Sequence, residues 1–174
     1  MNDSAAPVVE TLDEPRDTAY TAPGTDPGAG AAPLVRRLGA APGSHWVDAT
    51  GIDAFLARGG EQVLFFHGDP VRFPEVLDLA VVLPELRRHA ARHLDRRFEL
   101  GLVARADEDA LAKRFAVVHW PSMVFLREGR YVDALHGMLD WDVYLQRLAQ
   151  VFAKPASRPP IVLQPAAAAG GSCH

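Results

Sequence analysis

The chain is nearly without sulfur chemistry: its one cysteine, Cys173, stands next to the last of 174 residues. A lone cysteine excludes an intramolecular disulfide framework and leaves no Cys-x-x-Cys pair for redox work. No apolar run approaches the roughly 20 residues that a membrane span requires. Asp3 and Glu10 interrupt the opening residues, which lack the basic and then apolar order of a secretory signal, so the expected compartment is the cytoplasm. Also missing are a Gly-rich phosphate loop, a Ser-His-Asp arrangement and a carboxylate pair with a plausible substrate pocket. Metal ligands are sparse: His67 and Asp69 are two apart, His119 adjoins Trp120, and Cys173-His174 ends the sequence. No set of three or four ligands follows, so no metal and no cofactor is implied.

Basic charge is in slight deficit, with 18 basic and 22 acidic residues and a net charge of -4. That balance disfavours a nucleic-acid binder. The deficit lies at one end, because residues 1–33 carry Asp3, Glu10, Asp13, Glu14, Asp17 and Asp26 against Arg16 alone. Those residues are rich in Ala, Pro and Gly, and so are residues 154–174; neither stretch has enough large apolar groups to offset the entropy of ordering. Both read as disordered tails around one domain at 34–153, long enough to fold without staples.

Within that domain, Leu34 to Ala40 suits a short helix and His45 to Asp48 a strand. Thr50 with Asp53 three residues on suits a capped helix reaching Arg58 before Gly59-Gly60. Val63-Leu64-Phe65-Phe66 is continuously apolar, the mark of a central strand covered on both faces. Pro84 suits the first turn of a helix running to Arg97, with Arg88, Arg92 and Arg96 as its solvent stripe. Leu100 to Ala104 suits a strand, and Asp107 a cap for a helix through Phe115. Met123 to Leu126, the Glu128-Gly129 turn and Tyr131 to Leu135 form a hairpin, followed by a helix capped by Asp140. The alternation predicts an α/β fold: a mixed sheet with helices on both faces.

A β-α-β unit, then Trp120-Pro121, then a β-β-α unit resembles the thioredoxin fold, in which a cis-proline opens the penultimate strand beside the site. Cis bonds are nearly confined to X-Pro, which points to Pro121. Where thioredoxins carry Cys-x-x-Cys, this chain reads His67-Gly68-Asp69-Pro70. Only a thiolate can serve as both nucleophile and leaving group in disulfide exchange, so that reaction has no agent here. A narrower pattern combines Phe65-Phe66-His67-Gly68-Asp69-Pro70, Arg72-Phe73-Pro74-Glu75, Ala80-Val81-Val82-Leu83-Pro84-Glu85-Leu86 and Trp120-Pro121-Ser122. It resembles the HyaE/HupG family of NiFe-hydrogenase maturation proteins, also represented by HoxO, over about residues 34–153.

The resemblance implies a cytoplasmic, non-catalytic chaperone that binds the hydrogenase small-subunit precursor. It further implies recognition of that precursor's twin-arginine signal peptide, holding back export by the Tat pathway until assembly is complete. Strand addition beside Trp120 and Pro121 suits an extended peptide. Guanidinium groups need carboxylates, for which Asp69, Glu75 and Asp78 are the candidates, and an apolar stretch needs partners such as Val71, Phe73 and Trp120. Plainer roles stay open: Asp69 as a helix cap, Glu75 as a favourable charge at a helix N-terminus, Trp120 as core packing. Two rival readings are a subunit of a larger maturation complex that binds a folded partner, and a one-cysteine thiol-transfer enzyme using Cys173.

Overall fold

The computed structural model describes residues 26–159; Cys173, His174 and most of both expected tails lie outside them. The elements are α1 (Pro33–Gly39), β1 (Ser44–Val47), α2 (Ile52–Ala57), β2 (Glu61–Phe66), α3 (Glu75–His93), β3 (Phe98–Val103), α4 (Glu108–Phe115), β4 (Ser122–Arg127), β5 (Arg130–His136) and α5 (Trp141–Ala153). They form a five-stranded mixed sheet in the order β1-β3-β2-β4-β5, with β1, β3 and β2 parallel and β4 and β5 antiparallel. This is the thioredoxin-like α/β architecture.

The expectation for the central strand holds. Val63, Leu64, Phe65 and Phe66 are all at 0% exposure. Side chains alternate along a strand, so Val63 and Phe65 enter the core that includes Leu79 and Leu83 of α3 and Tyr144 and Leu148 of α5. Leu64 and Phe66 enter the opposite core, with Phe55 of α2 and Leu111 and Phe115 of α4. Each fully buried side chain of this kind contributes about 1.5–3 kcal/mol, which makes β2 the shared wall of two cores. The hairpin also holds: Arg127 pairs with Arg130 across Glu128 and Gly129, whose φ values of 49° and 68° are those of a two-residue primed turn.

Several local expectations are corrected. Pro84 does not start a helix; it lies inside α3, which begins nine residues earlier at Glu75 after Pro74. An internal proline costs about 3 kcal/mol. The buried stripe of Val76, Leu79, Ala80, Leu83, Leu86 and Ala90 runs past it on both sides and outweighs that cost. The helix stops at His93, because Asp95 adopts a left-handed φ of 50°. Arg96 therefore leaves the expected helical stripe and, with Arg97, leads into β3.

The caps differ as well. Thr50 does not cap α2; Gly51 occupies that position, and Asp48 Oδ1 accepts the N–H groups of Thr50 and Gly51 and the Thr50 hydroxyl. Asp107 and Asp140 stand at the N-caps of α4 and α5 without side-chain cap bonds. The Asp107 carboxylate instead accepts the N–H of Ala49 at 3.1 Å.

Residues just outside 34–153 also make contacts with the domain. Asp26 pairs with Arg36 at 2.6 Å, and Ala31 and Ala32 pack on the core under α3. At the other end, Arg127 donates to the carbonyls of Phe152 and Lys154, and Ala156 packs on the same core.

Candidate functional site

The turn that follows β2 occupies the place where thioredoxins carry their cysteine pair. Gly68 sits there at φ 72°, and a Cβ on it would stand 2.8 Å from Phe73 Cδ2 and 3.0 Å from Trp120 Cδ1. Only glycine accepts both the left-handed backbone and that close approach. Phe73 and Trp120 stack over it, with ring centroids 6.1 Å apart and planes inclined by 23°. Arg72 lies over the Phe73 ring at 5.4 Å. The Trp120–Pro121 bond is cis, as expected, and Pro121 is buried, its carbonyl accepting the N–H of Gly137 at 2.8 Å. Trp120 is partly exposed, and its backbone N–H and C=O have no backbone partner among the described residues.

Below this turn lies a polar cluster that sequence reading did not single out. Glu108, at 0% exposure, accepts the N–H of Gly68 at 2.8 Å and forms an ion pair with Arg105. Buried charge is tolerated when it is both paired and hydrogen-bonded, as here. His67 is buried beside it, and its Nδ1 donates to the Gly68 carbonyl at 3.0 Å. Burial pushes the His67 imidazole below the ordinary histidine range, and the nearby Glu108 charge only partly offsets this. At the start of β4, the Ser122 hydroxyl donates to the His119 carbonyl, so it accepts from His136 Nδ1 at 2.7 Å. Burial and the neighbouring His119 lower the His136 pKa.

The proposed carboxylates divide. Asp69 Oδ1 accepts the N–H of Val71 at 2.8 Å, and the Asp69 carbonyl accepts those of Arg72 and Phe73. It therefore organises the turn at 69–73 rather than capping α3. Glu75 and Asp78 stand exposed in the first turn of α3, where the helix dipole favours negative charge, and neither has an ion-pair partner among the described residues. Phe73, Trp120 and Pro121 are thus brought together with Gly68. Glu75 and Asp78 flank them on the next element. Val71, 89% exposed, and Leu77 and Val81, one helical turn apart on α3, add apolar surface beside the acids. Glu108 was missed because it sits between Asp107 and Asp109 and reads as one of three surface acids at a helix start.

The described site holds no cysteine, and no helix of the described residues is long and apolar enough to cross a membrane. Fold and site together define a class: a thioredoxin-like protein in which a histidine-glycine turn, a cis-proline and an aromatic stack stand where the thiol pair would be. The sequence model for the hydrogenase-1 expression protein HyaE matches residues 34–144, and the chain belongs to that family. It is 49% identical over 146 residues to the hydrogenase expression/formation protein HoxO of Cupriavidus necator, covering 82% of this chain and 88% of that one. It is 38% identical over 117 residues to the hydrogenase expression/formation protein HupG of Bradyrhizobium diazoefficiens, covering 65% and 76%. A crystal structure assigned to HupG of Rhodopseudomonas palustris matches with 39% identity and a TM-score of 0.42, covering 62% of this chain and 94% of that one.

Proposed function

We propose that this protein is a non-catalytic chaperone in hydrogenase maturation that binds the hydrogenase small-subunit precursor through its twin-arginine signal peptide, delaying export by the Tat pathway. The observation that carries the reading is the Trp120 backbone beside the Phe73 stack: an unpaired N–H and C=O next to a partly exposed aromatic surface, with no thiol in the described site. An extended peptide adds to such a backbone by strand pairing, and its side chains then fall on the flanking groups. Glu75 and Asp78 supply carboxylates for guanidinium groups, while Val71, Leu77 and Val81 supply apolar contact for the stretch that follows. Asp69 takes a smaller part, since one of its oxygens already serves the turn. Arg72 covers the outer face of Phe73, so the acids of α3 carry the positive selectivity.

Titration calorimetry with a synthetic small-subunit signal peptide tests the reading. Binding is expected to weaken with salt, and to weaken about tenfold or more when both arginines become lysines, because lysine cannot pair bidentately. Absence of binding to either peptide favours a folded partner in a maturation complex. Cys173→Ser is expected to leave binding unchanged, whereas its loss would favour the thiol-transfer reading.

A further inference from the structure

A groove of about 360 Å³ opens between the C-terminal half of α3 and the start of β3. Pro84, Ala91 and Phe98 give it an apolar floor, while Arg87, Arg88 and Arg97 give it three cationic groups and no acid. The peptide site proposed above lies toward the other end of α3 and has the opposite charge. Its Asp78 stands about 13 Å from Arg87 along the helix axis, at 1.5 Å per residue.

Arg87 is fixed in place, donating to the Pro42 carbonyl at 3.0 Å and lying over the Phe98 ring at 6.0 Å. Burial lowers its pKa and Glu99 only partly offsets this, so a carboxylate brought to it would restore what desolvation removes. Arg88 pairs with Glu85, but Arg87, Arg92, Arg96 and Arg97 have no ion-pair partner among the described residues. In the same residues Arg36, Arg58, Arg105, Arg114, Arg127 and Arg147 are all paired. The helix dipole accounts for Arg92, in the last turn of α3, where cations are favoured. It does not account for Arg96 and Arg97, which follow the helix, and Asp95 is the one acid between Glu85 and Glu99. Charge without a partner is thus concentrated in residues 87–97.

We propose that this groove docks an acidic segment of a partner protein, whose carboxylates pair with Arg87, Arg88 and Arg97 while an apolar side chain between them rests on Phe98. Guanidinium groups pair carboxylates bidentately, and the aliphatic stems of the arginines extend the apolar floor. A lone phosphate group fits less well, because the C-terminal end of a helix presents carbonyls rather than N–H groups. A nucleic acid needs a broader positive field than a chain of net charge -4 offers. Docking here leaves the Trp120 backbone and the acids at the start of α3 free for a second segment.

The test uses the full chain and, as probe, a short dye-labelled peptide of aspartate and glutamate around a central pair of leucines. Fluorescence anisotropy is expected to show binding that weakens with salt. Arg88→Gln with Arg97→Gln, both exposed, is expected to weaken it about tenfold or more. Arg130→Gln with Arg158→Gln removes the same charge outside the groove and is expected to weaken it less than about twofold. No binding by the parent overturns the proposal, and so does an equal loss from both pairs, since general charge attraction then suffices. Amide shifts on peptide addition are expected at Ala91, Arg97 and Phe98; shifts confined to Gly68 and Trp120 overturn the proposal, because the peptide then uses the other site. Tighter binding of an oligonucleotide of equal charge overturns it in favour of nucleic acid. Shifts at these amides on dilution of the protein alone overturn it in favour of a second copy, whose Glu75 and Asp78 would supply the carboxylates.

Discussion

The carboxylate of Glu108, on the first residue of α4, accepts the backbone N–H of Gly68 across 2.8 Å and 40 positions of sequence. This contact ties the helix under one face of the sheet to the turn that replaces a redox motif. Gly68 in turn supports the Phe73 and Trp120 rings, so the carboxylate positions the aromatic surface without touching it.

Removing that carboxylate has a calculable consequence. Glu108→Ala leaves the Gly68 N–H buried without an acceptor and deprives Arg105 of its partner. Breaking a fully buried pair costs about 3–5 kcal/mol, and Arg105 is 31% exposed and can hydrate, which lowers the expected loss to about 2–4 kcal/mol. Glu108→Gln keeps an acceptor for Gly68 and is expected to lose clearly less. Urea denaturation of the two variants beside the parent measures the difference, and equal losses would show that the hydrogen bond contributes nothing beyond the charge.

Acid should weaken the fold in a window set by histidine. Burial holds His67 below its ordinary range, so the unfolded chain takes up that proton near pH 6.5 while the folded chain still resists it. Stability is then full above about pH 7 and falls as the pH drops through and below 6.5. His136, lowered by burial and by His119, acts in the same direction. Each group contributes a slope of at most about 1.4 kcal/mol per pH unit. Denaturation midpoints between pH 7.5 and 5.0 read this before the carboxylates titrate, and His67→Gln should flatten the profile. A gain in stability on acidification would mean instead that His67 is charged against Glu108.

How legible all this was in the sequence depended on whether the cause was local. Four apolar residues in a row identified β2, Glu128-Gly129 identified the hairpin, and Trp120-Pro121 identified the cis bond, because each rests on neighbours in the chain. Pro84 misled because the local rule for proline was overridden by burial that becomes visible only when α3 lies on the sheet. Glu108 and Gly68 were illegible for the opposite reason: their partner in each case comes from a distant element. Of the candidate site, Phe73, Trp120 and Pro121 are adjacent in space, and Asp69 serves the turn between them.

Pro84 offers a direct check on that override. Its ring removes one hydrogen bond to the Ala80 carbonyl within α3, yet the side chain is only partly buried. Pro84→Ala restores the donor at a position whose surroundings are already helical. It is expected to raise stability by about 1–3 kcal/mol, read as a higher denaturant midpoint with an unchanged slope. A loss would show that the proline ring packs in a way its partial exposure conceals.

The two halves of the proposed peptide site should separate under salt. Trp120→Ala removes apolar and stacking surface, a contact that does not depend on ionic strength, so peptide binding should weaken by a similar factor at low and moderate salt. Glu75→Gln with Asp78→Asn removes exposed charge whose reach is cut by a screening length of about 10 Å at 0.1 M salt. That variant should bind weakly at low salt and lose most of the salt dependence shown by the parent. Both are read by titration calorimetry with the same peptide at two salt concentrations. If the acid-free variant keeps the full salt slope, the guanidinium groups must meet carboxylates elsewhere, and the contribution of α3 reduces to Leu77 and Val81, beside Val71 of the preceding turn.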